Sequence, residues 1–168
     1  MKKIIKSLSS KIKETIGIGK GFNEIQKLAL GKLLSKKNKL KKVEKIEDIE
    51  FKIFSQFGDD GIIQFLIDKL VIDYEYQNFI EFGVEDYSEA NTKFLLLNNN
   101  WSGLILDSSN ENIENIKKKN FFWKFDLEAS KCFITKENIN SIIASSSINK
   151  KKIGILSIDI DGNDYWVW

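Results

Sequence analysis

The sequence predicts an α/β domain of Rossmann-like type: three layers around a mostly parallel sheet ordered 3-2-1-4. Three observations lead there. Asn78 to Asp107 reads NFIEFGVEDYSEANTKFLLLNNNWSGLILD, which lays out as strand, glycine turn, helix, strand, acid. Apolar segments then alternate with helical patterns along the rest of the chain, which argues for right-handed crossovers and a parallel sheet. Carboxylates stand in or just after those apolar segments, at Glu81, Asp107, Asp126, Asp159 and Asp161.

Residues 1–50 read as a basic helical extension. Ile4, Ile5, Leu8, Ile12 and Ile16 follow helical spacing until Gly17, Gly19 and Gly21 break it. A second run places Phe22, Ile25, Leu28, Ala29 and Leu33 on one face, and Lys36 to Lys45 is a solvated charge run. Such an arm either packs on the domain or a partner, or lies on anionic lipid as a basic amphipathic helix. The composition favours the first. Nucleic acid is not expected, because the arm has no Arg and a single aromatic, Phe22.

The domain spans 51–168. Asp59 or Asp60 caps a helix bearing Ile62, Ile63, Leu66, Ile67 and Leu70. Strand one is Asn78 to Phe82. A helix from about Glu89 to Asn98 turns Phe94, Leu95 and Leu97 inward. Strand two, Gly103 to Leu106, ends on Asp107. A polar helix covers about Asn110 to Lys119, strand three is Phe121 to Asp126, and a further helix lies near Glu137 to Ser146. Strand four, Ile153 to Ile160, is apolar almost throughout, as in a strand buried on both faces.

Composition narrows the chemistry. The 168 residues suffice for one domain with a real core, and no stretch approaches a membrane span or a signal-peptide core. Cys132 is the single cysteine, so no intrachain disulfide forms, which fits a reducing, cytoplasmic setting; its apolar neighbours point to a core position. There is no His, Arg or Pro, and all 26 basic residues are Lys. A Ser-His-Asp triad, a His-ligated zinc and bidentate Arg recognition of phosphate are therefore excluded. Any general base is Asp, Glu, Lys or Tyr. Residues 1–45 hold 14 Lys against three Glu, a net of +11; residues 46–168 hold 12 Lys against 21 acids, a net of −9.

In an open α/β sheet the ligand lies outside the carboxyl ends of the strands, so the strand-end acids converge on one rim. Gly83 permits a tight turn, and Asp107 stands where a carboxylate accepts from both ribose hydroxyls. A pyrophosphate is disfavoured: the loop carries one glycine instead of three, and Glu81, Glu85 and Asp86 repel it. The cationic sulfonium and amino groups of S-adenosylmethionine suit an acidic loop.

Four blocks, FSQFGDDG (Phe54 to Gly61), IEFGVEDYSEANT, WSGLILD and LSIDIDGNDYWVW, resemble FkbM-like class I S-adenosylmethionine-dependent methyltransferases in their order. The resemblance covers about Phe51 to Trp168. It implies a Rossmann-like sheet and methyl transfer, usually to an oxygen of a sugar or similar small molecule. It places Glu81 by the cofactor's methionine end, Gly83 in the cofactor turn, Asp107 on the ribose and Asp126 near the adenine. It sets Asp159 and Asp161 beside the transferred methyl, as base or as holders of a divalent metal; no metal ligand is assigned. The family sheet has about three more strands. The expectation is thus an N-terminal half-domain whose fourth strand is an apolar edge, and a 168-residue chain that is inactive alone and self-associates.

Two other readings stay open. Asp159-Ile-Asp161 after an apolar strand is a DxD, the pattern of a metal-dependent glycosyltransferase. Alternatively, the acidic, glycine-poor loop belongs to a non-catalytic Rossmann-like binding module.

Overall fold

The computed structural model describes residues 23–168. Helix α1 spans Glu24–Lys39 and α2 Asp59–Leu70; β1 is Asn78–Phe82, α3 Lys93–Asn99 and β2 Ser102–Asp107. Helix α4 follows at Asn110–Lys117, then β3 at Leu127–Lys131, α5 at Ile139–Ser145, β4 at Ile155–Ile158 and α6 at Asp164–Val167. The four strands form one sheet in the order β3-β2-β1-β4, with every pairing parallel. This is the Rossmann-like α/β layout and strand order that the sequence predicts.

Strand alternation sends side chains to two separate cores. Phe79 and Ile105 face α2, α3 and α4, where they pack with Leu95, Leu96, Ile113 and Ile116. Ile80, Phe82, Leu104 and Leu106 face the other way, onto Ile134, Ile139 and Ile148 around α5. Both central strands are thereby covered on each face, which is why they read as continuous apolar runs. Burying one such side chain contributes roughly 1.5–3 kcal/mol.

Several boundaries differ from the expectation, for identifiable reasons. Asp60 does not cap its own helix. Its carboxylate turns back and accepts the N–H groups of Ile53, Phe54 and Ser55 at 2.7, 2.6 and 2.8 Å. Helix α3 starts at Lys93, later than about Glu89, because the N–H groups of Asn91 and Thr92 donate to Glu81 and that of Ala90 donates to the Phe54 carbonyl. Strand three is Leu127–Lys131; Phe121 to Asp126 form turns, with Phe121 packed against the buried Tyr87 ring. Strand four pairs only over Ile155–Ile158 and is not buried on both faces, Leu156 being 46% exposed. Its one sheet neighbour among the described residues is β1.

Helix α1 packs on the domain by an unexpected face. The apolar stripe Ile25, Ala29, Leu33 points outward, and the buried positions are Gly31, Ser35 and Asn38. Gly31 is required there: a Cβ would come within 2.4 Å of the Phe94 ring. Asn38 donates to the Ile49 carbonyl at 2.6 Å, and Leu28 and Leu34 pack on Phe51, Ile53, Phe54 and Phe94. Lys93, itself buried, bonds Glu24 at 2.8 Å and lies over the Phe54 ring. Burial lowers the Lys93 pKa against the pull of Glu24. The part of the notional arm before residue 23, with its run from Ile4 to Ile16, lies outside the described residues.

Candidate functional site

A cleft of about 710 Å³ opens at the carboxyl ends of the strands. Strands β1 and β4 are neighbours there, although β2 and β3 continue the sheet on the other side of β1. That reversal is the topological switch point where open α/β sheets bind ligands. Six carboxylates line the cleft, Glu81, Glu85, Glu89, Asp107, Asp159 and Asp161, and no lysine does among the described residues.

The floor is Glu81, in the middle of β1 and almost fully buried. One oxygen accepts the Asn91 N–H at 2.8 Å; the other accepts the Thr92 N–H at 3.1 Å and the Thr92 hydroxyl. Burial raises its pKa, and these donors pull the other way. Tyr87, wholly buried, shares a 2.9 Å hydrogen bond with Thr92 Oγ1, so a Glu-Thr-Tyr chain is one of the anchors of the loop 84–92.

Gly83 begins that loop at φ 74°, and Glu85 and Tyr87 also take positive φ, of 48° and 59°. Such angles are costly for residues with a side chain and persist only where the surroundings enforce them. The Gly83 N–H donates to the Leu106 carbonyl at 2.9 Å. A Cβ on Gly83 would lie 1.6 Å from the Asp159 carbonyl oxygen. The glycine is thus demanded by the crossing of two protein segments, as well as lying on the cleft wall.

Asp107 ends β2 and is buried. It accepts the Glu85 N–H at 2.8 Å on one oxygen, and on the other the Ser109 N–H at 2.8 Å and the Asn112 amide at 3.1 Å. A carboxylate offers about four lone-pair positions, and these three contacts leave one unfilled. Asp159 and Asp161 are exposed on the opposite wall. Asp161 sits at φ 55°, and Asp164 rather than either of them closes the turn, accepting the Ile160 N–H at 2.8 Å.

Asp126 is not in this cleft. It precedes β3, and its carbonyl accepts from Gly103 at the start of β2, so it lies at the amino-end rim. There its carboxylate pairs with Lys151 at 2.7 Å, and that contact, with help from Ser102, holds its pKa below the usual range. The residues that do follow β3 into the cleft are Cys132, Phe133 and Ile134, with Ser108, Ser109 and Asn112 from the β2–α4 turn. Cys132 is half-buried, packed against the edge of the second core where that edge meets the cleft, and burial raises its thiol pKa. The Phe133 ring is 74% exposed.

Among the described residues no group of three or more His, Cys, Asp or Glu is arranged to hold a metal ion, and no helix is long and apolar enough to cross a membrane. Fold and cleft together define a Rossmann-like α/β domain with an acidic site at its switch point. Comparison with models of protein families, with curated proteins and with solved structures found no match.

Proposed function

We propose that this chain is an S-adenosylmethionine-dependent methyltransferase domain of the FkbM-like kind, acting on an oxygen of a sugar or similar small molecule. The supporting observation is the charge of the cleft: six carboxylates and no lysine among its described lining residues. A diphosphate would meet uncompensated repulsion there, whereas a ligand with a sulfonium and an amino group gains Coulomb energy. That contrast also disfavours a nucleotide-sugar reading of Asp159-Ile-Asp161.

The residues present fit such a ligand. Asp107 keeps an acceptor position for a ribose hydroxyl, and Phe133 offers an exposed ring face for a flat base. Glu85, Glu89, Asp159 and Asp161 supply negative charge from both walls. When bound, S-adenosylmethionine supplies an activated methyl group. Asp159 or Asp161 then accepts the proton of the acceptor hydroxyl, and their wall orients that hydroxyl. Glu81 acts through Asn91 and Thr92, whose N–H groups occupy its oxygens, so it shapes the floor of the cleft. Asp126 has no part in this reading.

Isothermal titration with S-adenosylmethionine, with NAD, and with a uridine-diphosphate sugar plus manganese tests the proposal. Binding of S-adenosylmethionine that weakens as salt rises is expected, with no binding of NAD. Binding of NAD or of the nucleotide sugar without S-adenosylmethionine would overturn it.

A further inference from the structure

We propose that the outward face of α1 is a docking surface for an anionic membrane surface. The helix presents two distinct faces. Gly31, Ser35 and Asn38 are buried on the domain. On the opposite side Ile25 and Leu33 are 79% and 66% exposed, with Ala29 between them and Leu30 beside them. Ile25 to Leu33 spans about 12 Å at 1.5 Å per residue, and Leu40 follows just past the helix, 90% exposed. Leu28 and Leu34 seat the helix on the domain together with Gly31, Ser35 and Asn38, so Ile25, Leu30 and Leu33 form a second aliphatic face that the fold leaves turned to water.

Charge specifies the partner. Lys32, Lys36 and Lys37 flank the stripe and have no ion pair among the described residues, whereas Lys39 is committed to Asp68 at 3.0 Å. Glu24, the one acid of the helix, is held by Lys93. Residues 1–45 carry a net +11 and residues 46–168 a net −9. Aliphatic side chains ringed by lysines suit the boundary between acyl chains and anionic headgroups. The face has no Arg and no aromatic ring to stack on a base, which sets it against nucleic acid. Docked this way, the acidic remainder of the domain points away from the anionic surface.

Flotation of the full chain with vesicles tests the proposal. The vesicles are phosphatidylcholine alone, or phosphatidylcholine with about one-third phosphatidylglycerol. Binding is expected to the anionic vesicles only, and to fall at least tenfold in high salt, in Ile25→Glu/Leu33→Glu and in Lys36→Glu/Lys37→Glu. These side chains are exposed, so the variants should keep the wild-type melting temperature. If they do not fold, Leu33→Cys in a Cys132→Ala background carries a polarity-sensitive dye, whose emission should shift to the blue with anionic vesicles alone. Four outcomes overturn the proposal: equal binding to both vesicles; binding that survives both α1 variants but is lost in Lys2→Glu/Lys3→Glu/Lys6→Glu; a dimer abolished by Ile25→Glu/Leu33→Glu with no vesicle binding; or tighter binding to RNA than to the anionic vesicles.

Discussion

Asp60 and Asp159 are both aspartates of the same domain, and they stand at opposite extremes. Asp60 is buried, and one of its oxygens collects three backbone N–H groups and the Ser55 hydroxyl. Its other oxygen has no hydrogen-bond partner among the described residues. Asp159 is exposed and lines the cleft, and among the described residues no group pairs with its carboxylate. Glu81 sides with Asp60 and Asp161 with Asp159, while Asp107 is shared between the two conditions. A buried carboxylate gripped by backbone donors holds the chain in place; an exposed one that no backbone donor grips is left to act in the cleft. Mutation should separate the two sets cleanly, stability falling for the first and ligand handling for the second.

The largest effect is expected at Asp60. Asp60→Ala leaves three N–H groups of the 53–55 segment unpaired in a buried setting, at about 1–3 kcal/mol each before relaxation, so a loss of roughly 4 kcal/mol is expected from urea denaturation. An unchanged midpoint would break the comparison.

Glu81 comes next. Glu81→Ala should cost about 2–4 kcal/mol, since it strands the Asn91 and Thr92 donors. Its pKa is raised on folding, so the folded chain holds more protons than the unfolded one above the usual carboxylate range. Stability therefore falls as pH climbs above the usual carboxylate range. Burial raises the Asp60 pKa too, and adds to the same slope. Melting temperature against pH should give a flatter curve for Glu81→Gln than for the native chain in that window.

Asp107→Ala should weaken S-adenosylmethionine binding by ~1–3 kcal/mol, as loss of a charged acceptor does, and also loosen the loop held through Glu85. An unchanged affinity by titration calorimetry would remove Asp107 from the site. Asp159→Asn and Asp161→Asn should leave the melting temperature unchanged, both side chains being exposed, and should weaken S-adenosylmethionine binding by less than Asp107→Ala does; an affinity unchanged in both would remove this wall from the site. The smallest effect is expected at Asp126, whose pair with Lys151 is an exposed surface contact: Asp126→Ala should change stability by less than ~0.5 kcal/mol and leave cofactor affinity untouched.

Much of this division was invisible in the sequence, although the sheet was legible. Strands β1 and β2 are buried on both faces and flanked by clear turn signals, so periodicity and composition located them together with Glu81, Gly83 and Asp107. Strand three failed because Phe121, Phe122 and Phe125 have high strand propensity, yet they serve as packing for Tyr87 and the first core from within turns. The real strand, LEASK, owes its conformation to pairing with β2. That slip of a few residues carried Asp126 to the wrong rim and hid Cys132, Phe133 and Ile134, which a strand placed at 127–131 would have delivered to the cleft. Ser108, Ser109 and Asn112 gave no signal, because small polar residues after a strand are ordinary loop composition. On α1, apolar spacing identified a face but not its direction, since Gly31 makes closer contact with Phe94 than any larger residue allows.

The contact between Gly83 and the Asp159 carbonyl joins the two walls of the cleft. The loop after β1 and the segment after β4 approach so closely here that no side chain fits between them, and the loop cannot shift toward Asp159 without pushing it. If S-adenosylmethionine binds as proposed, a shift of the Gly83 loop on binding would be passed to Asp159, and occupancy of that side and the position of Asp159 would be linked. Linkage is reciprocal: whatever free energy cofactor binding spends in setting Asp159, an acceptor that prefers the set position returns as tighter cofactor binding.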